Sequence, residues 1–589
     1  MDRPLPPDRW ERLVLFLVDW RTRWVASWCV TLAGAGLALY LAWTRFDVVG
    51  RGDLSGLRRD GNEGHTFIDF GGQWVMGRMI VEGRGRQLYD RRAQHEVLIR
   101  AYPRTDEAPA AAVLASCLLS LGPFAWDPPE RFVDLLKEAA AHRSDADRLL
   151  GWFMTADPEG HVGGPLYPPI HAVVYAPLGL LRPQVGYRAL QILGVLLAFV
   201  AGLGIRQLAA GRIWWPVATL LVLVYPGFNS SLDLGQNAAL TLTILVWGWV
   251  LISRQRPGWG GAVWGLLAFK PVWAAAFFLV PLLTRRWRAC LTMSAVAAGL
   301  ALATVPVVGW ESWRNWLAVG QTAARLYNVD ENWVFLSRDL LGIPRRFLLD
   351  FTRPIQERDR LDAAVIGWGL LSVTFALTSA VPLLRPSQAQ AVDGPIAAFL
   401  LLGAWLCCFH FMYYDVLLTA LPLSLLFTRP RDYLEPRLLA IIPVDGTTLE
   451  PTLREFYRPR LLTDLPLPLP WLAAEDRHLW TINRFAPTVL LVLLVIEHVF
   501  PLLHASATLG HRFATIRLDT EIQGQPWHTY VLMVLWLYCG IRWWQSPTSL
   551  SDTADVELLQ TSQLIELRSD VACPHQALAD QDGTDPGSL

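Results

Sequence analysis

GWGGAVWGLLAFKPVWAAAFFLVPLLT, running from Gly258 to Thr284, carries a single charge, Lys270, inside an otherwise apolar run. The run is too apolar for a solvated helix, and Lys270 is too far from either basic end to flank a bilayer crossing. A charge at that depth is costly in hydrocarbon and marks a paired or functional group. Pro271 follows it at once, so the run splits there into two short pieces that dip in and return. A salt bridge accounts for Lys270 as well as a bound anion does.

The rest of the chain repeats this texture. Of 589 residues, 53% are hydrophobic and 17% charged. The apolar residues gather in blocks of roughly 17–25, the length of a bilayer-spanning helix. The class is an all-α polytopic membrane protein, because only helices satisfy their own backbone in lipid within one segment. Tryptophan is abundant at 28 residues. Trp43, Trp214, Trp215, Trp310, Trp313, Trp316, Trp543 and Trp544 stand beside span ends, where an aromatic belt sits. A net charge of −1 gives no footprint for a nucleic-acid partner. The seven cysteines form neither a disulfide framework nor a zinc spacing. Phosphate loops, dinucleotide fingerprints and metalloprotease pairs are missing, so neither a cofactor nor a dedicated metal site is expected.

Arginines before and between the blocks orient the chain by the positive-inside rule. Residues 1–25 read as a cytoplasmic amphipathic N-terminus, 26–431 as the main membrane domain, 432–483 as a cytoplasmic loop, 484–544 as C-terminal spans and 545–589 as a disordered acidic tail. Within the main domain, 47–167 and 309–361 are the large external loops. The parity puts the unusual polar clusters on one face, provided that 168–181 and 258–284 are hairpins.

Those clusters supply the candidate site. Asp69 follows the first span, ahead of an apolar helix over Trp74–Val81. A carboxylate desolvated near the headgroups gains basicity, as a general base requires, although a loop acid is more often a cap. Tyr167 opens a Tyr-Pro-Pro helix entry with His171 one turn in. Gln236 and Asn237 stand at a span entrance, where they cap the helix or hold sugar hydroxyls. The loop segment Tyr327–Trp333 mixes amides, acids and aromatics. His410, Tyr414 and Asp415 lie between two spans, and interface anchoring explains the tyrosine alone.

In order along the chain, Asp69-Phe70, Tyr89-Asp90, Tyr167-Pro168-Pro169, Pro177-Leu178, Gly235-Gln236-Asn237, Gly265 through Lys270-Pro271, Arg285–Arg288 and Tyr414-Asp415 resemble glycosyltransferase family 87. The likeness runs from Trp24 to Arg431. It implies the type C glycosyltransferase fold, with about 10–13 transmembrane helices and external loop helices. It also implies a polyprenyl-phosphate sugar donor, mannose transfer at the extracytoplasmic face of the plasma membrane, and Asp69 as catalytic base. The acceptor would be a lipid or glycan hydroxyl, the surroundings membrane lipids, and the reaction inverting. Lys270, Gln236, Asn237, Tyr167, His171, His410, Tyr414 and Asp415 would bind substrate. A rival of another class is a secondary transporter or lipid-linked-sugar flippase that switches on Lys270 and Asp415.

Overall fold

The computed structural model describes residues 20–50, 69–101, 166–209, 213–353, 357–386, 388–427, 477–499 and 525–545. Residues 1–19 of the expected N-terminal amphipathic stretch, most of the 47–167 loop, the 432–476 part of the cytoplasmic loop and the 546–589 tail lie outside these, while 20–25 already belong to the first helix.

The described chain is helical throughout. In order, α1 is Trp20–Gly50, α2 Asp69–Val81, α3 Arg91–Ala101, α4 Pro169–Gly179, α5 Pro183–Leu208, α6 Trp215–Val224 and α7 Phe228–Leu234. Next come α8 Ala238–Ser253, α9 Pro257–Gly265, α10 Pro271–Leu283, α11 Trp287–Leu326, α12 Glu331–Leu336 and α13 Gly342–Leu348. The series closes with α14 Leu361–Leu384, α15 Gly394–Leu406, α16 Ala420–Leu426, α17 Arg477–Leu494 and α18 Trp527–Gln545. Among the described residues only one isolated bridge, between Ser337 and Met412, has strand geometry.

Four helices are long and apolar enough to cross a membrane: α1, α5, α11 and α14. The α6–α7 pair makes a fifth if its 64° bend belongs to one span. Several of the remaining expected crossings are shorter apolar helices of 10–17 residues. Proline and glycine do the shortening. Tyr225-Pro226-Gly227 separates α6 from α7, and Lys270-Pro271 separates α10 from a 3-10 turn over Leu266–Phe269. The expected break at 258–284 is therefore real and falls at Lys270. Helix α11 runs through the boundary drawn at residue 309, with a kink at Gly309 (φ 75°, ψ 160°), so the start of the expected 309–361 loop is helix.

Two kinds of surface result. Helices α1, α11 and α14 show large apolar side chains outward, with Leu361 81%, Leu291 70% and Leu302 67% exposed. Such faces suit hydrocarbon and are unfavourable in water. Helices α8 and α15, by contrast, are buried nearly all round. Tryptophan departs from the belt reading. Trp310 is exposed at 65%, but Trp214 is buried, as are Trp249, Trp264, Trp273 and Trp405. The buried indoles are packing pieces, and three of them donate to carbonyls: Trp249 to Val392 at 2.9 Å, Trp264 to Leu245 at 3.0 Å and Trp405 to Asp415 at 3.2 Å. A wide ring with one polar edge fills a helix junction well if that edge is satisfied.

Helices α2 and α4 set the site's frame. They touch backbone to backbone at Gly77, where an added Cβ would lie 2.3 Å from the Tyr175 carbonyl oxygen. Small residues permit this approach between helices. It holds α2 against the Tyr167–Tyr175 ladder.

Candidate active site

Helix α2 begins at Asp69, whose side chain is outside the described set. One turn on, Gln73 is fully buried. Its Nε2 donates to the Gly235 carbonyl at 3.0 Å, and its Oε1 lies 3.1 Å from His171 Nε2. His171 stacks between Tyr167 and Tyr175 at ring-centroid distances of 4.0 and 4.3 Å. The Tyr167 hydroxyl donates to Gln236 Oε1 at 2.9 Å. Four of the sequence candidates, Tyr167, His171, Gln236 and the start of the Asp69 helix, are thus joined through Gln73.

The Gly235 turn makes this junction possible. Gly235 has φ 63°, and an added Cβ would sit 2.6 Å from the Phe70 Cβ, the residue after Asp69. Only glycine combines left-handed backbone with that approach. The neighbouring Asn237 is 2% exposed and its amide faces the buried Tyr175 hydroxyl.

A second cluster adjoins the first at Phe269, whose ring lies 6.0 Å from His171. Lys270 comes next in the chain. Its Nζ donates to Asp415 Oδ1 at 2.7 Å, with the two side chains 8% and 2% exposed. Tyr414 lies under the ammonium at 5.3 Å. Asp415 Oδ2 accepts from the Met412 N–H at 3.5 Å. His410 stacks on Tyr327 at 4.3 Å and faces Asp339 Oδ2 from 3.8 Å. Burial pushes the His410 imidazole below its ordinary value. Asp339 and Asp415 pull it back up, while Lys270 and Arg345 push it further down.

The geometry changes the standing of two candidates. His171 is fully enclosed by rings and an amide, so it orients Gln73 and Tyr167 and has no surface for substrate. Lys270 is not a bare cation, since Asp415 neutralises it. Gln73, Asp339 and Arg345 escaped the sequence reading. Gln73 had one visible signal, an amide in an apolar helix one turn after Asp69. Among the described residues no cluster of His, Cys, Asp or Glu could hold a metal.

A membrane-embedded helical bundle with carboxylates, amides and aromatics gathered at its helix ends is what a membrane glycosyltransferase requires, and the family comparison gives the same class. Residues 166–407 match the model of Glycosyltransferase family 87. Over that stretch, which is less than half of its length, the chain is similar to this family, and the likeness supports a membrane glycosyltransferase. The match takes in Tyr167, His171, Gln236, Asn237 and Lys270. Asp69, His410, Tyr414 and Asp415 lie beyond it. No curated protein and no solved structure matches the chain.

Proposed function

We propose that the protein transfers a hexose, mannose being the best candidate, from a polyprenyl-phosphate donor to an acceptor hydroxyl at the extracytoplasmic face of the plasma membrane. The observation that carries this reading is the joining of Tyr167, Gln236 and the start of the Asp69 helix through Gln73 and His171. The family match supports the glycosyl transfer itself.

Asp69 is the general base. It takes the proton of the acceptor hydroxyl as that oxygen attacks the anomeric carbon. The bond from the anomeric carbon to the phosphate oxygen breaks, and the phosphate leaves with the electron pair. Phosphate is a good leaving group, so one carboxylate suffices where a hydrolase needs a pair. Attack opposite the leaving group inverts the anomeric centre. Gln236, held by Tyr167, and Asn237 beside it offer hydrogen bonds to sugar hydroxyls. Lys270 contributes positive charge near the departing phosphate, with Asp415 fixing its position.

The test is transfer by the purified full chain from a radiolabelled polyprenyl-phosphate mannose, with the product's anomeric configuration read by NMR. An inverted glycoside is expected. A retained anomer, or solute uptake without any covalent product, rules the mechanism out.

A further inference from the structure

The segment from Arg338 to Arg346 buries three guanidinium-bearing residues that look like ordinary loop charge in the sequence. Arg338, Arg345 and Arg346 are 5%, 8% and 7% exposed. Two serve the chain itself. Arg338 Nη1 donates to the carbonyls of Phe335, Leu336 and Ser337 at 2.9, 3.3 and 2.8 Å. Arg346 Nη2 joins it on the Ser337 carbonyl.

Arg345 is different. Among the described residues its side chain forms no hydrogen bond and no ion pair, and none of its side-chain nitrogens is among the sealed, partnerless atoms. Its guanidinium therefore reaches accessible space from a buried residue. Burial lowers its basicity, and the charges of Asp339 and Asp359 only oppose this from a distance. Asp339 is already engaged. Its Oδ2 accepts from the Ser337 hydroxyl at 2.8 Å and its Oδ1 from the Gly342 N–H at 2.7 Å. Lys270 is committed to Asp415. The electrostatic neighbourhood of His410 thus keeps one cation, Arg345, without a contact anion. A buried charge left in that state is costly unless a ligand completes it. A planar guanidinium matches phosphate oxygens in fork geometry.

The surroundings indicate a lipid. Helix α13, which carries Arg345, lies against α14, where Gly367 would bring an added Cβ within 3.3 Å of the Leu341 Cα. Phe347, two residues on in α13, and Leu361, at the start of α14, are 64% and 81% exposed, so the two packed helices that carry and flank Arg345 present apolar surface suited to hydrocarbon.

We propose that Arg345, beside His410, binds the phosphate-ester anion of a lipid whose chain lies along Phe347 and Leu361. This deepens the glycosyltransferase reading, on which it rests, by naming a second cation, beyond the Asp415-paired Lys270, for the donor phosphate.

The test measures binding to the purified full chain by intrinsic tryptophan fluorescence, with farnesyl phosphate, inorganic phosphate and farnesol as probes. Arg345→Gln should weaken farnesyl phosphate roughly tenfold or more, the scale of a lost charge-assisted pair, and leave farnesol unchanged. Inorganic phosphate binding as tightly as farnesyl phosphate would identify a free anion as the ligand. Much weaker phosphate binding would identify the lipid headgroup; that result is expected. Wild-type affinity of R345Q for farnesyl phosphate overturns the proposal, and so does an equal loss of farnesol. Should R345Q fail to fold, Arg345→Met decides by the same criteria. Arg345-dependent binding without any sugar transfer would refute the proposed reaction and leave this site standing.

Discussion

Lys270 and Asp415 form a buried pair in which stability and the proposed chemistry can be separated by mutation. Each is buried, and each satisfies the other at 2.7 Å. Removing one partner strands the other's charge, so Lys270→Ala or Asp415→Asn should cost about 3–5 kcal/mol. The double variant Lys270→Met/Asp415→Leu should recover most of the thermal midpoint in detergent while remaining inactive. Full transfer by a stable double variant would reduce the pair to a structural role. His410 supplies a pH handle at the same scale. Its folded value is depressed, mainly by burial. The unfolded chain therefore binds more protons as pH falls through the ordinary histidine range, and stability is lost on acidification. His410→Gln should flatten the midpoint between about pH 7 and 5, reading the window from the ordinary histidine value. An unchanged slope would mean that another group sets it.

At the scale of elements, the site depends on helix ends that meet at special backbone. Gly235→Ala demands a left-handed alanine and pushes on Phe70. The strain costs about 1–2 kcal/mol, and the larger effect falls on turnover, because Phe70 shares its helix turn with Asp69. A drop in kcat exceeding the change in KM is expected; unaltered kinetics would detach the 235 turn from the base. These elements were unevenly legible in the sequence. Lys270-Pro271 announced its own break, because a proline within an apolar run interrupts the helix there. Asp415 could be noticed but not paired, since 145 residues separate it from Lys270. Arg345 was hidden because Ile343-Pro344-Arg345-Arg346-Phe347-Leu348 reads as an interfacial loop until packing shows which arginine lacks a partner. Trp214 was misplaced for a related reason. A tryptophan beside a span end reads as an anchor, and only the neighbouring helices show that it is enclosed.

At the scale of the molecule, the C-terminal helices are tied into the family-matched body. Thr529 donates to the Arg338 carbonyl at 2.6 Å, Glu497 accepts from the Gly227 N–H at 3.3 Å, and Trp536 stacks on Phe399 at 5.3 Å. These contacts reach the turn before α7 and the arginine segment, both next to the candidate site. A chain ending before Arg477 should lose thermal stability and transfer together. Wild-type transfer by that truncation would show that residues 166–427 and the first helices suffice.

The most direct measurement is sugar transfer by Asp69→Asn. Wild-type and D69N chains, matched for monodispersity and thermal midpoint, are given labelled polyprenyl-phosphate mannose and membrane acceptors. Loss of a general base costs on the order of 10²–10⁴-fold in rate, so D69N should fall by that factor while still binding donor. Transfer by folded D69N at the wild-type rate would contradict the assignment of Asp69 as the base.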